Sequence, residues 1–219
     1  MSMATLFIYV VDRDFGFAPN PFHGVCTLAT CKPILRKSAQ IGDWVIGMGG
    51  ARLDATGRCI FAMEVTRKIG FDEYWARPEF RIRRPVRNGS MAMIVGDNIY
   101  CHNAETNEWL QADSHHSHPD GSANTANVAQ DTSADAVLIS QRFIYFGNKA
   151  PKVPGHIITK LGYSNGRGYR VFNLDREGAE ILEWILTEHR HHLNRVVGDP
   201  FDFANSSARY SAATNKVTI

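Results

Sequence analysis

Apolar positions along the chain fall into short, strongly β-prone runs set between loops rich in Gly, Pro and Asn. Leu6–Val11 ("LFIYVV") is β-branched and aromatic and ends abruptly at charges, which predicts a buried strand. "DRDFGFAPNPFHG" must be loop, and "VCTLATCKPILRK" is ambiguous between a strand and a short helix broken at Pro33. A strand over Trp44–Met48 leaves through a glycine-rich turn into a second clear strand, "CIFAMEVTRKI". "FDEYWARPEF" predicts one helical turn stopped before Pro78. Shorter strands are expected over Met91–Val95, Asn98–His102 and Glu108–Gln111, and strand character resumes in "AVLISQRFIYFG". Ile157–Leu161 reads as a short helix. The best helical period runs over Arg176–Leu193, with Asp175 placed to cap it.

Two stretches stand outside this pattern. Asp113–Ala134 is polar and aperiodic, and loops of that length without structure of their own tend to be functional or disordered. Beyond Phe203 the residues are small and polar and read as a flexible tail. With no repeat and no linker, the expectation is one α+β domain over 1–203, carrying a long polar loop and a C-terminal helix, and a tail over 204–219. Within 219 residues a hydrophobic content of 44% suffices for a core. The net charge of +2 leaves any attraction to nucleic acid to local clusters. Four cysteines without a CxxC pair argue against both a zinc knuckle and a disulfide framework, and no apolar run is long enough for a membrane span. These features point to a cytoplasmic protein.

"KSAQIGDWVIGMGG" followed by "RCIFAMEVTRKIGFDEYW" resembles the barrel signature of the PUA/EVE/ASCH-like superfamily. That resemblance implies a small mixed β-barrel over about 5–100, with a cleft for RNA or a modified nucleobase; Tyr74 and Trp75 are candidates for a cage wall there or for plain packing. "FAPNPFHGVCTLATCKP", "GDWVIG", "DSHHSHPDGS" and "VLISQRFIYFG" together resemble a phage and bacterial family, the second nucleotide modification-associated domain, over most of residues 5–172. The resemblance implies recognition of a nucleotide or a modified DNA base, in company with other DNA-modification or phage-defence proteins. It assigns no catalytic residue.

Candidate chemistry concentrates in "DSHHSHPDG", three histidines within four positions flanked by acids. In an extended chain His116 and His118 share a face, and with Asp113 they make a candidate site for a divalent zinc or iron ion. His115, His116 and Asp131 are candidates for acid–base catalysis, with Asn124 and Asn127 as polar contacts from the same segment. Two further readings stay open: substrate contact without metal, and a loop whose Asp and Ser cap their own turns. In "APNPFHGVC" the prolines stiffen the backbone, so Asn20 and His23 are pocket candidates. Cys26 is a candidate nucleophile or a plain core residue. "RPEFRIRRPVR" sets Arg81 and Arg83 on one face of an expected strand, spaced to follow phosphates. The imidazole-rich and guanidinium-rich segments are expected to border one cleft. "HRHH" at the end of the long helix reads as solvated cations near its C-terminus. Three functions stay open: a module that recognises a nucleotide, nucleic acid or modified base, a metal- or histidine-dependent enzyme that modifies one, or a scaffold that joins other modification or defence proteins.

Overall fold

The computed structural model describes residues 4–218. Its main sheet has six strands in the order β10 (Tyr169–Asn173), β1 (Thr5–Val11), β3 (Trp44–Gly49), β4 (Cys59–Glu64), β9 (Phe143–Tyr145) and β11 (Arg195–Val196). β1 runs parallel to β3 with Leu6 opposite Trp44, and antiparallel to β10 with Thr5 opposite Asn173. Leu6, Ile8, Val45, Ile46, Ile60 and Ala62 are fully buried, so the central strands are covered on both faces, as their unbroken apolar runs predict. The register of β3 against β4 slips between Gly47 and Met48. There a Cβ on Gly47 would come within 2.1 Å of the Phe61 ring, so only glycine lets the two strands approach. The helices α5 (Gly155–Leu161) and α6 (Ala179–Glu188) bury Ile157, Leu161, Ile181 and Ile185 in the core that the sheet builds.

A second, antiparallel sheet has the order β2 (Cys26–Leu28), β8 (Val137–Ser140), β5 (Arg67–Ile69). With α2 (Phe71–Ala76) and the hairpin of β6 (Tyr100–His102) and β7 (Trp109–Gln111), it frames another apolar cluster around Phe15, Phe17, Phe71, Tyr74 and Tyr100. The α+β class is as expected. The closed barrel is not present: among the described residues β10 and β11 are the two free ends of an open sheet. Among the described residues no helix is long and apolar enough to cross a membrane.

Local differences from the sequence reading have local causes. "VCTLATCKPILRK" is β2, a turn, and then α1 (Pro33–Ser38), because proline at the first helical position starts a helix as readily as it breaks one. Met91–Ile94 is a short helix, α3, rather than a strand. The arginine segment lies in a 3-10 helix over Pro78–Arg83, again opened by proline, so Arg81 and Arg83 share no strand face. α6 begins at Ala179 with Gly178 as its cap, not Asp175, and gives way to a 3-10 turn over Arg190–His192. The polar segment after Asp113 contains α4 (Thr125–Thr132), and residues 204–219, expected as a tail, carry a hairpin of β12 (Arg209–Ser211) and β13 (Lys216–Thr218).

Candidate active site

Three segments meet where α1, α4 and the histidine turn come together. Cys31 and Lys32 both adopt left-handed backbone, φ 56° and 41°, and this reversal after β2 leads the chain into α1. α4 is capped by the Asn124 side chain, which accepts from the Asn127 amide at 3.3 Å. Four residues apart on one face, Asn127 and Asp131 are the positions this helix buries. The third segment, Asp113–His118, is no extended strand. Ser117 Oγ accepts from the Ser114 amide at 3.0 Å, and Asp113 is held by Arg87 at 2.6 Å and Arg209 at 2.9 Å. The resulting turn buries His115 and His116 and leaves His118 exposed.

Asp131, fully buried, organises the centre. One carboxylate oxygen accepts from the Cys31 amide at 2.7 Å; the other accepts from Tyr100 Oη at 2.9 Å and from His116 Nδ1 at 2.7 Å. A carboxylate only accepts, so the shared proton sits on Nδ1 and Nε2 faces the thiol, 3.8 Å from Cys31 Sγ. Cys31, His116 and Asp131 thus form a thiol–imidazole–carboxylate relay. Burial alone pushes the imidazolium of His116 down, but the charge of Asp131 beside it prevails and raises it to about 10. Burial likewise favours the neutral acid of Asp131, and His116, Arg36 and the Cys31 amide outweigh it and hold the carboxyl below its usual range. Arg36, fully buried, donates to the carbonyls of Cys31 (2.8 Å), Ala134 (3.0 Å), Ala136 and Asp131, which ties α1 to the end of α4.

The relay opens into a cleft of about 430 Å³ bordered by Cys31, His115 and His116. Tyr9, Phe15, Phe17 and Tyr210 give it aromatic walls, and Arg13, Lys32 and Arg167 bring positive charge to it. Lys32 Nζ lies 4.7 Å from the centre of the Tyr9 ring, and the Arg13 guanidinium 5.4 Å from that of Tyr210. The β12–β13 hairpin closes one side. Ala208 O accepts from His115 Nδ1 at 2.5 Å, while Asn127 donates to Tyr210 O and accepts from the Ala212 amide, both at 2.6 Å. His115 packs on Phe15 with ring centres 4.4 Å apart; burial and the neighbouring His116 charge push its protonation down to about 3.

His115, His116, Asp131, Asn124 and Asn127 are therefore brought together, the last two as the cap of α4 and the clamp on the hairpin. The other candidates lie elsewhere. Arg83, buried, pairs with Asp97 at 3.3 Å and donates to Tyr74 Oη at 2.8 Å, to Thr27 Oγ1 and to Asn20 O at 2.9 Å. Asn20 in turn donates to Val95 O at 2.8 Å. This network pins the proline-rich loop to the 3-10 helix. Trp75 is covered by the Arg84 guanidinium at 3.7 Å, Arg81 is exposed, and half-buried His23 sits on left-handed backbone. None of Asn20, His23, Tyr74, Trp75, Arg81 or Arg83 borders the cleft.

Among the described residues, Cys31, His116 and Asp131 are the group whose ligand atoms could meet on a metal ion, all lying within 4.8 Å of one another. Both Asp131 oxygens already take hydrogen bonds, so Cys31 Sγ and His116 Nε2 are the two donors left free. His118 and Asp113 do not join them. Cys31 was not among the sequence candidates, although it directly precedes Lys32-Pro33, a helix-start signal that could have marked it; fully buried Cys26, with its thiol pushed far up by burial, is a core residue.

A family model described as nucleotide modification associated domain 2 matches residues 3–207. Neither a search of curated proteins nor one of solved structures finds a match.

Proposed function

From the premise that the chain belongs to the nucleotide modification associated domain 2 family, we propose that it is a cysteine-dependent enzyme acting on a nucleotide or nucleobase-bearing substrate in this cleft. The observation that carries the reading is the Cys31–His116–Asp131 relay at the cleft floor. Nucleophile, proton carrier and orienting anion stand in the order that covalent catalysis needs. Nε2 of His116, 3.8 Å from Sγ, is placed to hold the thiol's proton. As Sγ bonds to an electrophilic carbon of the substrate, Nε2 of His116 gives that proton to the departing group. Water, deprotonated by the same imidazole, then releases the product and restores the thiol. Asp131 stays anionic throughout and fixes the ring orientation. Its hold on the Cys31 amide places nucleophile and base from a single point.

Alkylation by iodoacetamide, read peptide by peptide in a mass spectrometer, tests this. Cys31 should be the fastest of the four cysteines to react at neutral pH, and His116→Ala should slow it by about tenfold or more while leaving half-buried Cys101 unchanged. A second reading, recognition of a nucleotide without chemistry, draws on the aromatic and cationic walls. It predicts a Cys31 that labels no faster than Cys101 and does not respond to His116.

A further inference from the structure

The arginine segment offers no track for a polymer backbone. Arg77 is ion-paired with Glu73 and Glu79, Arg83 with Asp97 and Arg87 with Asp113, while Arg84 donates to Trp75 O and lies over its ring. The charge that faces the relay belongs instead to Arg13, Lys32 and Arg167, set against Asp12 as the one acid among the cleft's bordering residues. A space of about 430 Å³ is of small-ligand size. Inside it His115 is an unusual wall. Its Nδ1–H is spent on Ala208 O, so Nε2 carries a lone pair at the border of the cleft.

We propose that the cleft takes a free nucleoside monophosphate rather than a nucleic-acid strand, with its phosphate among Arg13, Lys32 and Arg167 and a base N–H donated to Nε2 of His115. The inference rests on the cysteine-enzyme reading and adds its substrate class. Guanidinium and ammonium groups match an anionic phosphate. The aromatic interior receives a flat ring, and the fixed acceptor rewards a ring that presents a donor and penalises one that leaves the lone pair unpaired. His115 is thereby a specificity residue, distinct from its neighbour His116, whose task is proton transfer.

Protection of Cys31 from iodoacetamide by dAMP, dCMP, dGMP, dTMP and their ribose counterparts tests the proposal, beside the matching nucleosides, inorganic phosphate, and short single- and double-stranded DNA. At least one monophosphate should protect at concentrations about tenfold or more below its nucleoside, the ratio expected for one retained charge contact. Arg167→Ala, an exposed change that spares the fold, should raise the concentration needed by a similar factor. His115→Phe should leave the nucleotide no better than inorganic phosphate. Titration calorimetry of the unlabelled protein with the same compounds gives a readout independent of thiol reactivity. Binding of no monophosphate, equal binding of nucleoside and nucleotide, or tighter binding of DNA than of any monophosphate would overturn the proposal. If Cys31 still labels fast and depends on His116, the enzyme reading survives that outcome; slow labelling with intact monophosphate binding would sink only the enzyme reading.

Discussion

Burial acts alike on His115 and His116, pushing each imidazole toward its neutral form, and what separates them is the partner of Nδ1. A carbonyl accepts from His115, and its protonation drops from an ordinary 6.5 to about 3. A carboxylate accepts from His116 and lifts it to about 10. Environments that split adjacent titrating groups in this way are how sites assign acid and base roles. The two have opposite consequences for stability. The His116–Asp131 pair contributes fully below the unfolded value of His116, and that contribution is lost as pH rises through about 10. Asp131's own share is present above the ordinary carboxyl range and is lost as pH falls through its depressed folded value. For His115 the folded value is the lower one, so the unfolded chain binds a proton that the folded chain refuses, and stability is lost as pH falls from 6.5 toward 3. His115→Gln retains a donor for Ala208 O and removes the titration. In urea melts its stability should fall less steeply with acid than the parent's, by at most about 1.4 kcal/mol per pH unit over that window. Because Asp131's oxygens are engaged, a chelator should change neither the Cys31 alkylation rate nor the metal content, which elemental analysis should place well below stoichiometric.

At the scale of elements, α4 shows why part of the site was hidden. Helices are recognised by an apolar stripe, but the face that α4 buries carries Asn127 and Asp131, so its period is written in polar residues. β1, β3 and β4 had no such disguise, since covered central strands are apolar throughout. The arginines misled for the same physical reason. Charge reads as surface until a partner is known, and Asp97 and Tyr74, which make burial of Arg83 tolerable, lie 14 and 9 positions away. The small polar residues that pointed to a tail are hairpin residues, held by the backbone carbonyls and amides that Asn127 and His115 engage. Arg36 is the tie between α1 and α4. Arg36→Met would strand the buried carbonyls of Cys31, Asp131, Ala134 and Ala136, and should cost about 3 kcal/mol or more in denaturant unfolding. Where the variant remains folded, Cys31 alkylation should slow, because the thiol and its base no longer share a frame.

Seen over the whole molecule, the cleft draws Tyr9, Cys31, His116, Arg167 and Tyr210, and Asp131 behind His116, from segments spread along nearly the full chain. Its outer wall, the β12–β13 hairpin, lies past the family match at residue 207, so this side of the cleft is built outside the matched domain. No local fragment contains the thiol, its base and the orienting acid. On a chain emerging from synthesis Cys31 is therefore an ordinary side chain, and on the proposed reading it becomes a nucleophile only when distant parts dock. Denaturant should reveal this as an inversion. Reagent uptake at buried Cys26 and Cys59 should accelerate on unfolding, whereas uptake at Cys31 should decelerate, making one thiol a positive reporter of the native population.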